Sequence, residues 1–323
     1  MTRQPGNWLT ALACATAMVA GAAAAQNVKV TSLGTHDGEF CAQDRALIFE
    51  DPNGTRILYD PGRSVMGGED PRLGKIDIIL VSHMHGDHAG NAHVAKLNDG
   101  ECGNPPTPVK DTPNSNAVNI ALARKAKMVT GGEMQAFFAA KLAANGGSAG
   151  DSILARFGGT RTVGGVKIST VNALHSNGLD PDYIGGDLAE AMKKAGFSGY
   201  VGEATGYVVR FTNGLVAYLS GDTGMVSEMV TVVRNHYHAN FSVMNIGDNF
   251  TTGPTEAAYV INDLVKPATV MASHANEAAT QGGKVKAGTK TEAFMKASKV
   301  PVIVPLSGKA YELDGHGKCV AGC

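Results

Sequence analysis

The sequence predicts an α/β fold, a single domain of mixed sheets with its helices on the outside. Three observations predict it. Short apolar and β-branched runs alternate with helical ones from residue 28 onward, and neither a linker nor a fixed-period repeat interrupts them. Glycine is abundant, 41 of 323 residues, while aromatic residues make up 6 %, a balance that suits many tight turns rather than a bundle of long helices. Finally, an almost unbroken apolar run at 76–82 leads straight into a turn crowded with histidine. A rigid sheet presents functional groups in this way, at a strand end.

The elements follow in order. Residues 28–33 alternate as a strand; 46–50 and 56–59 form a hairpin about Asp51-Pro52-Asn53-Gly54, ended by Asp60-Pro61-Gly62. After the strand 76–82, a helix is expected over 89–97. The Pro-, Asn- and Gly-rich stretch 98–119 reads as a surface loop over the site. A strand at 127–130, a helix at 133–144 broken by Asn145-Gly146-Gly147, and a strand at 166–171 come next. Segment 177–202 is a candidate substrate-facing insertion with a helix over 187–195. Strands 207–211 and 215–220 join through Asn213-Gly214. A helix at 225–235, a strand at 241–246, a helix at 255–264, a strand at 269–273 and short strands at 302–304 and 310–313 complete the series.

The chemistry concentrates in His83-Met84-His85-Gly86-Asp87-His88. Strand-like alternation puts His83 and His85 on one side, and the flexible Gly86 lets Asp87 and His88 turn toward a second ion. Imidazole suits zinc and other borderline metals, and a catalytic zinc keeps three protein ligands and one open position. Four ligands in one turn therefore predict two ions and about three further ligands. His175, Asp222 and His274 each follow an apolar strand and bring the set to seven. Taken alone, His175 and Asp222 are ordinary loop residues; only the set gives them meaning. His36 follows the first strand near a pocket rim but reads as an ordinary loop residue, and His93, His236 and His238 as surface or capping residues; His316 lies in a Gly-rich turn.

With these residues assembled, the chain resembles the metallo-β-lactamase superfamily. The resemblance rests on residues 83–88, His175-Ser176, Gly221-Asp222-Thr223-Gly224 and Ser273-His274. Gly221 to Gly224 and the stretch 245–254 are similar to the UPF0173 and ascorbate-6-phosphate lactonase-like branch. The resemblance implies an αββα sandwich with the metals at one edge of the paired sheets. It assigns His83, His85 and His175 to a first ion, Asp87, His88 and His274 to a second, and Asp222 to both. It also implies a lactone or another carboxylic or phosphoric ester of a small molecule as substrate. Two divalent ions, zinc or alternatively manganese or iron, would generate a bridging hydroxide, with Asp87 orienting it or moving a proton. Asn249, Thr252, Asn276 and Glu277 are expected substrate contacts. The competing readings are a β-lactam hydrolase and an exported protein that binds metal or ligand without turnover.

The net charge of −1 and the absence of a basic arm argue against nucleic acid or a charged membrane surface as partner. Oligomeric state is not legible. Arg3, the apolar run 8–20 and Ala23-Ala24-Ala25 before Gln26 read as a secretory signal cut near Ala25, which implies a periplasmic or secreted protein. Cys41, Cys102, Cys319 and Cys323 then remain, and the preferred pairing is Cys41 with Cys102 and Cys319 with Cys323.

Overall fold

Strand-forming runs collect into two sheets, and the burial pattern along each strand decides which face turns inward. The computed structural model describes residues 27–323 together with Met1 and Thr2, so the expected export signal lies outside the described residues. The first sheet contains β1 (Val28–Ser32), β2 (Leu47–Glu50), β3 (Arg56–Tyr59), β4 (Ile78–Leu80), β5 (Lys127–Thr130) and β6 (Ser152–Leu154). The second contains β7 (Thr160–Val163), β8 (Val166–Asn172), β9 (Thr205–Arg210), β10 (Val216–Leu219), β11 (Phe241–Asn245), β12 (Thr269–Ser273) and β13 (Val302–Ile303). The chain returns to the first sheet with β14 (Ala310–Leu313) and β15 (Cys319–Ala321). The strand orders are β15-β14-β1-β2-β3-β4-β5-β6 and β13-β12-β11-β10-β9-β8-β7.

Both sheets are built on one scheme. Strands β1 to β3 pair antiparallel and β3 to β6 run parallel; β7 to β10 pair antiparallel and β10 to β13 run parallel. Parallel neighbours need crossovers, and these carry the helices. On the outer face of the first sheet, Leu58, Ile79 and Val81 pack with Ile120 of α1 (Asn116–Arg124) and Phe138 of α2 (Met134–Ala144). The inserted α3 (Gly186–Lys194) follows. On the outer face of the second sheet, Tyr218, Val270 and Ala272 pack with Ala257 of α4 (Pro254–Tyr259) and Phe294 of α5 (Lys290–Ala297). Between the sheets, Phe49, Tyr59 and Leu80 meet Tyr207, Leu219 and Val243. Each such fully buried Leu, Val or Phe contributes about 1.5–3 kcal/mol. The result is the expected αββα sandwich in one domain.

Several expected elements are replaced. No helix forms over 89–97. A single π turn, Gly86–Gly90, ends where Gly90 adopts φ 80°, and the chain passes into the short strand Ala92–His93. A side chain at Gly90 would strike Asn116 and the Gly62 carbonyl, so helix continuation loses to tertiary packing. Segment 98–119 is not all loop: Val109–Lys110 pairs with Ala92–His93, and Ser115 caps α1 by accepting the Val118 N–H at 3.2 Å. The helix expected at 225–235 is widened into a π turn at Met229–Arg234, and that expected at 255–264 begins as α4 and widens into a π turn at Val260–Val265. Strands β6, β7 and β15 and helix α5 are additions, although Thr289, whose Oγ accepts the Glu292 N–H at 3.1 Å, is a legible cap. Disulfides join Cys41 to Cys102 and Cys319 to Cys323. No helix among the described residues is long and apolar enough to cross a membrane.

Candidate metal centre

Strand ends of both sheets converge at one edge of the sandwich. Three hydrogen bonds clamp them together: Thr205 N–H to Ser82 O at 2.9 Å, the Tyr207 hydroxyl to Val81 O at 2.7 Å, and Gly221 N–H to the Tyr59 hydroxyl at 3.0 Å. The last contact requires glycine, because Gly221 has φ 60° and a side chain there would lie 2.9 Å from Thr205 O. His274 itself adopts φ 51°, a conformation costing a non-glycine residue about 1–2 kcal/mol.

The structure brings the seven predicted side chains into one cluster. His85 Nδ1 lies 2.9 Å from His83 Nε2 and 3.3 Å from His175 Nε2. Asp87 Oδ2 lies 3.3 Å from His274 Nε2 and 3.6 Å from His88 Nε2. Asp222 sits between the groups, with Oδ2 3.0 Å from His274 Nε2, 3.7 Å from His175 Nε2 and 3.8 Å from His83 Nε2, and Oδ1 3.4 Å from His88 Nε2. His83, His88, Asp222 and His274 are buried, whereas His85, Asp87 and His175 retain partial exposure on the cavity.

Burial and charge act against each other here. Burial holds His83, His85 and His175 below the ordinary imidazole range, which leaves their lone pairs free. Burial also pulls His88 down, but Asp222, Asp87 and Asp60 outweigh it and carry His88 well above that range. Burial would raise the carboxyls of Asp87 and Asp222; neighbouring histidines, and Arg45 for Asp87, override it and hold both well below the usual carboxylate range. His88 Nε2 and Asp222 Oδ1 are buried and, although 3.4 Å apart, form no well-aligned hydrogen bond with each other or with any other of the described residues. Unpartnered buried groups of this kind are costly. Three overlapping triads, His83–His85–His175, His83–His88–Asp222 and Asp87–His88–His274, each bring their donor atoms within 4.8 Å of one another. The donor set of imidazole and carboxylate fits a divalent ion such as zinc.

Two supporting residues escaped the sequence reading. Asp60, seen there only as the end of a hairpin, is buried and accepts from His88 Nδ1 at 2.8 Å, from the Ser82 hydroxyl at 2.8 Å and from the Ser82 N–H at 2.8 Å. Such a contact fixes the ring and directs Nε2 at the centre. Arg45 is also buried, and its Nη2 donates to Asp87 Oδ2 at 3.2 Å and to Asn276 Oδ1 at 2.6 Å. His93, expected in a helix at the surface, is instead buried and paired with Asp111 at 2.7 Å, apart from the cluster.

A cavity of about 650 Å³ opens over the cluster, lined by Gln43, Arg45, Arg63, Ser176, Asn249, Phe250 and Asn276 besides five of the seven. Asn249 and Asn276 thus lie where substrate contacts were expected. Thr252 and Glu277 do not. Thr252 is buried and exchanges hydrogen bonds with Asn245 at 2.8 Å, and Glu277 accepts the Lys290 and Thr291 N–H groups at the start of α5, at 3.1 and 3.0 Å. Neither 98–119 nor 177–202 lines the cavity; the segment between β1 and β2 and the turn after β3 do so instead.

Comparison with known proteins gives a consistent picture. A sequence profile described as "Beta-lactamase superfamily domain" matches residues 55–275. A "UPF0173 metal-dependent hydrolase" of Polynucleobacter asymbioticus is 28 % identical over 271 residues, 81 % of this chain and 81 % of its own. Another, from Koribacter versatilis, is 29 % identical over 227 residues, 69 % of this chain and 77 % of its own. Among solved structures, Igni18, a metallo hydrolase of Ignicoccus hospitalis, superposes with a TM-score of 0.58 at 20 % identity, covering 89 % of this chain and 99 % of that one. The metallo-beta-lactamase fold protein YhfI of Bacillus subtilis gives 0.55 at 12 % identity over 88 % and 99 %. The two solved structures share the fold.

Proposed function

This chain belongs to the beta-lactamase superfamily and is a metal-dependent hydrolase, and from that premise we propose that it uses two divalent ions to cleave a lactone or phosphoester of a small molecule outside the cytoplasm. His83, His85 and His175 would hold one ion, Asp87, His88 and His274 the other, and Asp222 would reach both. The supporting observation is the convergence of these donors around the buried, unpartnered His88 Nε2 and Asp222 Oδ1. Bound ions supply Lewis acidity and a water acidic enough to ionise near neutral pH; five imidazoles favour zinc, with manganese or iron as alternatives.

The chain's own groups have distinct parts in this reading. Asp87 stays ionised and opens on the cavity, so its carboxylate can orient the attacking water by accepting a hydrogen bond from it. Arg45 keeps that carboxylate in place. His88 has to give up its second proton before Nε2 acts as a ligand, which makes ion affinity rise with pH. The two disulfides support export, because such bonds persist in oxidising compartments.

The test is hydrolysis of a panel of lactones, phosphodiesters and a β-lactam, with and without chelator. Turnover of a lactone or phosphodiester that chelator abolishes and zinc restores is expected. Turnover indifferent to chelator, or of the β-lactam alone, contradicts the proposal. Intact mass checks export: the secreted chain should begin at Gln26 and lack four hydrogens, two for each disulfide. A mass that retains Met1 overturns that part.

A further inference from the structure

We infer that the cavity binds an oxyanion group of the substrate, a carboxylate or a phosphate remote from the bond that is cut, on the free edge of the Arg63 guanidinium. This rests on the hydrolase reading above and narrows its substrate class to small anionic esters.

Two arginines line the cavity, and they differ in what they touch. Arg45 is saturated on the cavity side: Nη2 is shared between Asp87 and Asn276, and Nη1 donates to the carbonyls of Ala42 and Asp44 at 3.0 and 3.2 Å. Arg63 forms no ion pair among the described residues. Its side chain makes one hydrogen bond, Nε to Asn91 Oδ1 at 3.0 Å. That bond aims the side chain and leaves both terminal nitrogens open. Its backbone is equally fixed, since Arg63 O accepts the Val94 N–H at 3.0 Å and Gly62 N–H reaches His88 O at 3.0 Å, seating the residue against the ligand turn.

The charges around Arg63 point the same way. The acids lining the cavity are Asp87 and Asp222, and both are committed to the histidine cluster. Nothing else in the lining neutralises a half-buried guanidinium. Leaving such a cation unpaired is costly, and two parallel N–H donors match the spacing of two oxygens on carboxylate or phosphate. Gln43 stands in the same lining with Oε1 buried and unpartnered, an acceptor for a donor on the rest of the molecule rather than for its oxyanion. Phe250, 71 % exposed, supplies an apolar wall for the rest of the molecule.

Calorimetric titration of the chelator-treated protein with inorganic phosphate and with succinate tests this directly. Wild type should bind at least one probe, and Arg63→Met should weaken that binding by about 10- to 100-fold, the usual scale for a charge-assisted pair. Arg63→Lys, which keeps the charge and loses the fork, should fall between them; unchanged melting temperatures exclude misfolding. Tighter binding of phosphate or of succinate identifies which oxyanion the site takes. Equal binding by wild type and Arg63→Met, or no binding of either probe, overturns the inference. In the metal-loaded protein, the ratio of kcat/KM for a carboxylated lactone over its methyl ester should fall by the same factor. Wild type that binds a probe through Arg63 but hydrolyses neither lactone nor a phosphodiester leaves the anion site standing and removes the proposed lactone and phosphoester substrates. Turnover of both lactones with a ratio that Arg63→Met does not alter does the reverse.

Discussion

The two sheets contribute to the same cluster by different means. After β4 the first sheet sends out four side chains in one turn, His83, His85, Asp87 and His88, whose spacing is set by a few local backbone angles. The second sends one side chain from each of three strand ends, His175 after β8, Asp222 after β10 and His274 after β12. Their spacing depends on strand order and on the bonds that clamp one sheet to the other. The difference teaches that half of the centre is a local property of the chain and half a property of the whole fold. Asp222, within 4 Å of histidines from both halves, joins them.

The largest effect should therefore come from Asp222→Ala. Loss of more than about 100-fold in kcat/KM, with at least one ion released and the circular dichroism unchanged, is expected, since even residues behind the ligands cost 10- to 100-fold. Full activity in this variant would dissolve the joint between the halves. Next comes Asp60→Asn, behind the local turn, where equilibrium dialysis should show ion affinity about 10- to 100-fold weaker. An unchanged affinity would mean that the turn orients His88 without help.

Tyr207→Phe probes the clamp. The hydroxyl donates to Val81 O and Val129 O, so its removal leaves two buried carbonyls short of a donor and should cost about 1–3 kcal/mol in urea unfolding. A smaller change would show that this hydroxyl adds little to the clamp. The smallest effect lies away from the centre. Burial would raise the Asp70 carboxyl, but Arg72 outweighs it and holds Asp70 below its ordinary value of 3.8. A carboxyl lowered in the folded state stabilises above its unfolded value and loses that contribution as pH falls through the folded one. Asp70→Asn should thus be on the order of 1 kcal/mol less stable at neutral pH, with the gap closing below about pH 4. A gap independent of pH would assign the effect to geometry.

The same contrast explains what could be read in the sequence. The turn at 83–88 was legible because its ligands are neighbours in the chain. His175, Asp222 and His274 were legible only through their shared place after apolar strands. Asp60 and Arg45 were not, because a carboxylate after a hairpin and an arginine before a strand acquire their roles only when the sheets pack. Thr252 and Glu277 were misplaced for the converse reason: both follow strand ends, but local hydrogen bonds turn them away from the cavity. In the fold, strands with clear alternation survived, whereas the helix expected over 89–97 yielded to the positive φ of Gly90 and the packing of Asn116.

Elemental analysis of protein purified without chelator, repeated after reconstitution with zinc, tests the two-ion centre most directly. Two ions per chain are expected, falling to one or none in Asp222→Ala. One ion or none in the reconstituted wild type would contradict a centre shared between the two sheets.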